Sequence, residues 1–117
     1  MANILLVEDE PDLLPILADA LQARGHQVLA TQDFTQAIQA AQEGTTDLLI
    51  TDLSVPGLDA ETAGSIRSLS VDTLVITGRG GGDLRLAKQL GAVFVLRKPF
   101  PLSDFLAVIE ATLNEAP

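Results

Sequence analysis

Five times along the chain a short apolar run gives way to a stretch with helical spacing, and this alternation restricts the fold more than any other feature. The runs are Ile4–Val7, Val28–Thr31, Leu48–Thr51, Thr73–Thr77 and Val93–Leu96. They are short and nearly continuous in apolar residues, which is the pattern of strands buried on both faces. Between them, Pro11 is a good first helical residue, and Leu14, Leu17 and Leu21 recur at helical spacing until Gly25. Pro15 inside that pattern predicts an irregular first turn. Asp33 can cap a helix carrying Phe34, Ala37, Ile38 and Ala41. Pro56-Gly57 predicts a turn, and Ala60 to Leu69 a short helix despite Gly64. Asp83–Leu90 predicts a fourth helix. A fifth opens at Pro101 or Leu102 with an apolar stripe of Leu102, Phe105, Leu106, Ile109 and Leu113, read as packing on the sheet.

Five βα units joined by a few residues each predict an α/β domain, a parallel sheet with helices on both faces. The 117 residues fit one domain, taken as 1–117. Hydrophobic residues make up 47% of the chain, enough for a core. The net charge of −9 opposes non-specific binding to nucleic acid or to an anionic membrane. The acidity is uneven: residues 1–62 hold one base, Arg24, against eleven acids, whereas residues 63–117 hold six bases against five acids. Five bases fall between Arg79 and Lys98, a run that reads as a solvated helix face or as a partner-facing patch. With no cysteine, disulfides, thiol catalysis and thiolate metal sites are excluded. No apolar run approaches the roughly 18 residues of a membrane span. Nothing at Met1-Ala2-Asn3 resembles a basic signal-peptide start, so the expected location is the cytoplasm.

In doubly wound sheets the chemistry stands beyond the carboxyl ends of the strands. Glu8, Asp9, Glu10 and Asp12 follow the first strand, Asp52 the third, and Thr77 ends the fourth. Lys98-Pro99 follows the fifth. Carboxylates this close raise one another's pKa, so a divalent cation is their natural occupant, and an all-oxygen set suits Mg²⁺. Beside Mg²⁺ an aspartate can attack a phosphoryl group and become an aspartyl phosphate. A lysine and a hydroxyl on the far side would stabilise the charge on the equatorial oxygens.

Four stretches carry a resemblance to a known family: Ile4-Leu5-Leu6-Val7-Glu8-Asp9-Glu10-Pro11, Asp47 through Asp59 around Thr51-Asp52-Leu53-Ser54, Val75-Ile76-Thr77-Gly78, and Gly91-Ala92 through Lys98-Pro99-Phe100. In that order the chain resembles the receiver domain of two-component response regulators, from about Ile4 to Leu113. The resemblance implies a flavodoxin-like doubly wound (βα)5 fold with sheet order 2-1-3-4-5. It implies Asp52 as phosphoacceptor, Asp9 as the direct Mg²⁺ carboxylate, Glu8 as its neighbour acting through water, and the Ser54 backbone carbonyl as a further ligand. Thr77 falls on the signalling hydroxyl and Lys98 on the lysine that grips a phosphoryl oxygen. Lys98-Pro99 becomes a cis candidate. The implied partners are a sensor histidine kinase or phosphotransfer protein and a downstream protein or output domain. A homodimer is compatible with this reading; direct nucleic-acid or membrane binding is not expected. The implied role is a phosphoacceptor capable of self-dephosphorylation, not a turnover enzyme.

The family pattern is broken at Val95. The family usually places an aromatic three residues before the lysine, which swings inward as the threonine moves; valine is stiff and small. Readout then passes through the loop after Thr77, or Phe94 and Val95 simply fill the core. In the second case the chain is a receiver-fold interaction module insensitive to phosphorylation. The loop Gly78-Arg79-Gly80-Gly81-Gly82 reads as a mobile connection, with Arg79 at a variable position that affects phosphate loss. His26, the one histidine, reads as a solvated loop residue. An aspartyl-nucleophile phosphatase would want a second acid where Ser54 stands, and a flavin binder an anion-friendly first loop in place of four acids.

Overall fold

Strands buried on both faces need a helical layer on each side, and the chain supplies both. The computed structural model describes residues 1–78 and 84–114. Within them the strands are β1 (Asn3–Val7), β2 (Gln27–Thr31), β3 (Leu48–Asp52), β4 (Asp72–Thr77) and β5 (Phe94–Arg97). The helices are α1 (Leu13–Ala23), α2 (Phe34–Gln42), α3 (Ala60–Ser68), α4 (Leu84–Leu90) and α5 (Leu102–Asn114). Every strand pair is parallel, and the sheet order is β2-β1-β3-β4-β5. The parallel sheet is the one the alternation predicts, and its doubly wound flavodoxin-like order is the one the resemblance implied.

Successive strand residues point to opposite faces, so each central strand feeds two cores. Ile4, Leu6, Leu48, Ile50, Leu74 and Ile76 pack with Leu17 and Leu21 of α1 and Phe105 and Ile109 of α5. Leu5, Val7, Leu49 and Val75 pack with Phe34 and Ala37 of α2, Ala63 and Ile66 of α3 and Leu90 of α4. Fully burying a Leu, Ile or Phe side chain contributes roughly 1.5–3 kcal/mol, so the sheet is held mainly by these two layers. The stripe of α5 therefore serves the core through Phe105, Leu106, Ile109 and Leu113, as its spacing implied, whereas Leu102 at its start is 40% exposed.

Three expectations are corrected. Helix α1 begins at Leu13 after a turn, not at Pro11, with the amides of Leu13 and Leu14 both donating to the Glu10 carbonyl at 3.1 Å. Pro15 is then the third helical residue, where an amide has no partner within the helix, so the ring removes no helical bond. Phe94 and Val95 do not fill the core: on the edge strand β5 they are 46% and 36% exposed. His26 is not solvated; its side chain is 8% exposed, and its Nδ1 accepts from the Ala2 N–H at 3.2 Å. It lies beside the start of β2, at the opposite end of the sheet from the acids.

Candidate functional site

The register of the sheet assembles the site. Val7 stands level with Thr51, Asp52 with Ile76, and Thr77 with Arg97. One step beyond Val7 is Glu8, and one step beyond Arg97 is Lys98, so both reach the carboxyl edge beside Asp52 and Thr77. The Glu8 backbone N–H donates to the Thr31 carbonyl at 3.1 Å, and that of Lys98 to the Thr77 carbonyl at 2.7 Å. These bonds fix where the two side chains leave the sheet. The Lys98-Pro99 peptide is cis, as the sequence suggested.

Asp52 is held at both oxygens. Its Oδ1 accepts from the Ser54 N–H and from the Ser54 hydroxyl, each at 3.0 Å. Its Oδ2 accepts from Lys98 Nζ at 2.6 Å. Glu8 is fully buried; its Oε2 accepts from the Glu10 N–H at 3.0 Å. Glu8 Oε1 lies 2.7 Å from Lys98 Nζ, an ion pair out of line for a hydrogen bond, so this buried oxygen has no aligned donor. Glu10, 59% exposed in its side chain, completes the shell with Oε1 at 3.1 Å from Lys98 Nζ. One ammonium thus faces three carboxylates.

Burial pushes the Glu8 carboxyl above its usual range, and Lys98 and the Glu10 N–H offset this only in part. Burial pushes Asp52 the same way, but there the Lys98 ammonium and the two Ser54 donors outweigh it and hold the carboxyl below its usual range. Burial pulls Lys98 down, and its hydrogen bonds to Asp52 and Glu10 together with its close charge contact with Glu8 reverse the sign, so it stays protonated throughout the physiological range. At neutral pH the cluster is an ionised Asp52 pressed against a fixed cation.

Glu8, Glu10 and Asp52 each bring one carboxylate oxygen within 4.8 Å of the other two. The set is all oxygen, partly buried, and includes an oxygen lacking an aligned donor, which fits a hard divalent cation such as Mg²⁺. Asp9 is exposed at the rim and lies outside this set of three. Thr77 is buried at the end of β4, on the same edge. Two participants were missed from sequence. Glu10 had no assigned part, and Ser54 was credited only with its carbonyl, although its hydroxyl binds the acceptor oxygen directly. Arg79 and the run 80–83 lie outside the described residues, so the expectations for that loop and for a helix start at Asp83 stand beyond them.

Comparison with known proteins agrees with this geometry. The family model described as response regulator receiver domain matches residues 4–110. The chain belongs to that family. As a receiver of a two-component system it is similar to the transcriptional regulatory protein TcrA of Mycobacterium tuberculosis, at 36% identity over 98% of this chain and 47% of the relative. The transcriptional regulatory protein KdpE of the same species is 32% identical over 97% of this chain and 52% of the relative. The receiver thus spans about half the length of these curated relatives. Among solved structures, the non-phosphorylated HemR receiver domain from Leptospira biflexa superposes with a TM-score of 0.86 at 27% identity, covering 100% of this chain and 98% of that one. The receiver domain of sensor histidine kinase PA1611 from Pseudomonas aeruginosa, solved with a magnesium ion coordinated in its active-site cleft, gives 0.85 at 25% identity, covering 97% and 98%. Among the described residues no helix is long and apolar enough to cross a membrane.

Proposed function

We propose that this receiver takes a phosphoryl group onto Asp52 from a phosphohistidine of a sensor histidine kinase or phosphotransfer protein, and that the product alters binding of a downstream protein or output domain. The observation that carries this reading is the grip on Asp52: Lys98 Nζ is 2.6 Å from one oxygen, and Ser54 holds the other. A carboxylate oriented at both oxygens and kept ionised is ready to attack. In the transfer one Asp52 oxygen forms a bond to phosphorus while the bond from phosphorus to the donor imidazole breaks. The electron pair stays on that nitrogen, which takes a proton from water. Mg²⁺, held by Glu8, Asp52 and the Ser54 carbonyl once Asp9 turns in from the rim to join them, would neutralise negative charge on the acids and on the phosphoryl oxygens. Lys98, 12% exposed and tied to the sheet edge, supplies fixed positive charge to a phosphoryl oxygen. Thr77 offers its hydroxyl from the neighbouring strand end.

The free edge of the sheet suits the readout. Val93, Phe94 and Val95 leave an apolar run exposed on and beside β5, flanked by α4 and α5, a surface for a protein partner or a second copy. The relatives' names place them among transcriptional regulators, while the −9 charge here opposes DNA binding by the receiver itself. Val95 supports a second reading, an interaction module that does not respond to phosphate, because a small exposed valine has no aromatic ring to turn inward.

Intact mass after incubation with Mg²⁺ and acetyl phosphate separates the two. A single phosphoryl adduct on the wild type, absent without Mg²⁺ and absent in Asp52→Asn, is the expected result. No adduct under any condition would overturn the acceptor reading and leave the interaction module.

A further inference from the structure

The ammonium of Lys98 has three N–H bonds to give, and three carboxylates crowd it: Asp52 at 2.6 Å, Glu8 at 2.7 Å and Glu10 at 3.1 Å. The lysine proposed to hold a phosphoryl oxygen thus gives aligned N–H bonds to Asp52 and Glu10, while Glu8 faces it by charge alone. The three partners differ in how easily they let go. Asp52 carries the reacting oxygen and stays beside the lysine. Glu8 is fully buried and bonded to the Glu10 N–H, so it cannot swing into water. Glu10 alone is on the solvent side, with 59% of its side chain exposed and the longest of the three contacts. Releasing it costs no more than an exposed ion pair, because water replaces the lysine at once.

Resting on the acceptor reading above, we propose that Glu10 is the displaceable guard of Lys98: its carboxylate occupies the N–H that an incoming phosphoryl oxygen takes, and it must leave for the phosphoryl group to be held. Glu10 acts through Lys98 and is a positioning residue, not a catalytic one. Its negative charge stands at the mouth of a site that admits an anion, so it opposes the ligand by occupancy and by repulsion together. Asp12, two residues on, is also exposed and acidic, and it is outside the set of carboxylates that meet at Lys98. It isolates the repulsion component.

The test uses beryllofluoride as phosphoryl mimic at saturating Mg²⁺, with affinity read by titration calorimetry and no dependence on turnover. Glu10→Ala removes the acceptor, Glu10→Gln keeps a neutral, weaker one, and Asp12→Asn removes the same charge without touching the lysine. Glu10→Ala is expected to tighten beryllofluoride roughly two- to fivefold, the range an exposed ion pair spans, with Glu10→Gln between it and wild type and Asp12→Asn near wild type. The phosphorylation rate with acetyl phosphate is expected to follow the same order. If Glu10→Ala and Asp12→Asn shift the affinity equally, the effect is bulk charge and the guard role is overturned. Weaker binding in Glu10→Ala also overturns it, since Glu10 would then support the site. Failure of the wild type itself to bind beryllofluoride would strike the acceptor reading, and the guard role with it.

Discussion

Ser54 grips a single oxygen of Asp52 twice, through its backbone N–H and through its hydroxyl, both at 3.0 Å. The two donors sit on Oδ1 and leave Oδ2 to Lys98, so the carboxylate cannot rotate without breaking bonds at both ends. Replacing Ser54 by Ala deletes the hydroxyl and keeps the N–H. A hydrogen bond to a charged group contributes roughly 1.5–3 kcal/mol when buried, but Ser54 itself is exposed and water can replace its hydroxyl. The expected loss is about 0.5–1 kcal/mol, seen as a lower urea midpoint at unchanged slope. The phosphoryl adduct should still form. An unchanged midpoint would mean that the hydroxyl bond adds nothing beyond the backbone one.

Lys98→Met strips the cation from a site that holds one fully buried carboxylate and another nearly so. Glu8 already has its carboxyl raised by burial, and without Lys98 it is raised further. A group whose folded pKa lies above its unfolded value favours the native state at low pH and loses that contribution as pH rises through the folded pKa. The variant should therefore be less stable than wild type at pH 7 in EDTA by about 1–3 kcal/mol, below the full cost of breaking a buried pair because Glu8 can take a proton. The gap should narrow at pH 5, and saturating Mg²⁺ at pH 7 should narrow it too. Urea midpoints under the three conditions decide this; equal gaps at both pH values would show that Glu8 is not the group responsible.

Most of the site was legible because a parallel sheet turns position in sequence into position in space. Glu8, Asp52, Thr77 and Lys98 each close or follow an apolar run, and the register then brings them to one edge. What escaped lies where no period operates. After Val7 the chain enters a turn in which the Glu10 N–H folds back to Glu8 Oε2, and from the solvent side the Glu10 carboxylate reaches Lys98, while Asp9 stays at the rim. Spacing alone cannot distinguish neighbouring acids in such a turn. His26 was misread because its partner, the Ala2 N–H, is 24 residues away. That Phe94 and Val95 fill the core was one of two alternatives left open, because β5 has an apolar composition; its place at the edge of the sheet follows from topology.

Asp59 caps α3 reciprocally: its Oδ1 accepts from the Thr62 N–H, and the Thr62 hydroxyl accepts from the Asp59 N–H, both at 2.9 Å. The backbone and hydroxyl bonds to Thr62 hold the Asp59 carboxyl below its ordinary value of 3.8. A carboxyl depressed on folding contributes stability that is fully present above the unfolded value and is lost as pH falls through the folded one. Asp59→Asn keeps an oxygen acceptor but cannot titrate. The stability of the variant should fall less steeply than that of wild type as pH drops below about 3.8, with the two closest at the lowest pH that still supports the fold. Denaturant midpoints between pH 5 and 2.5 test this, and parallel curves would reject the cap as a source of acid sensitivity.

Gly57 sits in the loop after β3 at φ +85°, and a Cβ built there would meet Thr35 Oγ1 at 2.8 Å and Asp33 Oδ1 at 3.1 Å. In the same loop the Pro56 carbonyl accepts from the Phe34 N–H at 2.9 Å, while Asp33 caps α2 by accepting from the Thr35 N–H at 2.7 Å. A methyl at position 57 is penalised twice, by the left-handed backbone and by the α2 cap it presses on. The backbone component alone costs about 1–2 kcal/mol. Pushing Thr35 and Asp33 aside weakens a cap worth about 1 kcal/mol more. Gly57→Ala should thus lose about 2–3 kcal/mol. Asp33→Ala, which removes the cap beforehand, should make the Gly57→Ala step less costly by several tenths of a kcal/mol or more. A double-mutant cycle on urea midpoints measures that coupling. Strict additivity would mean that the cost at Gly57 is backbone strain alone and that the β3–α3 loop and the start of α2 are energetically separate.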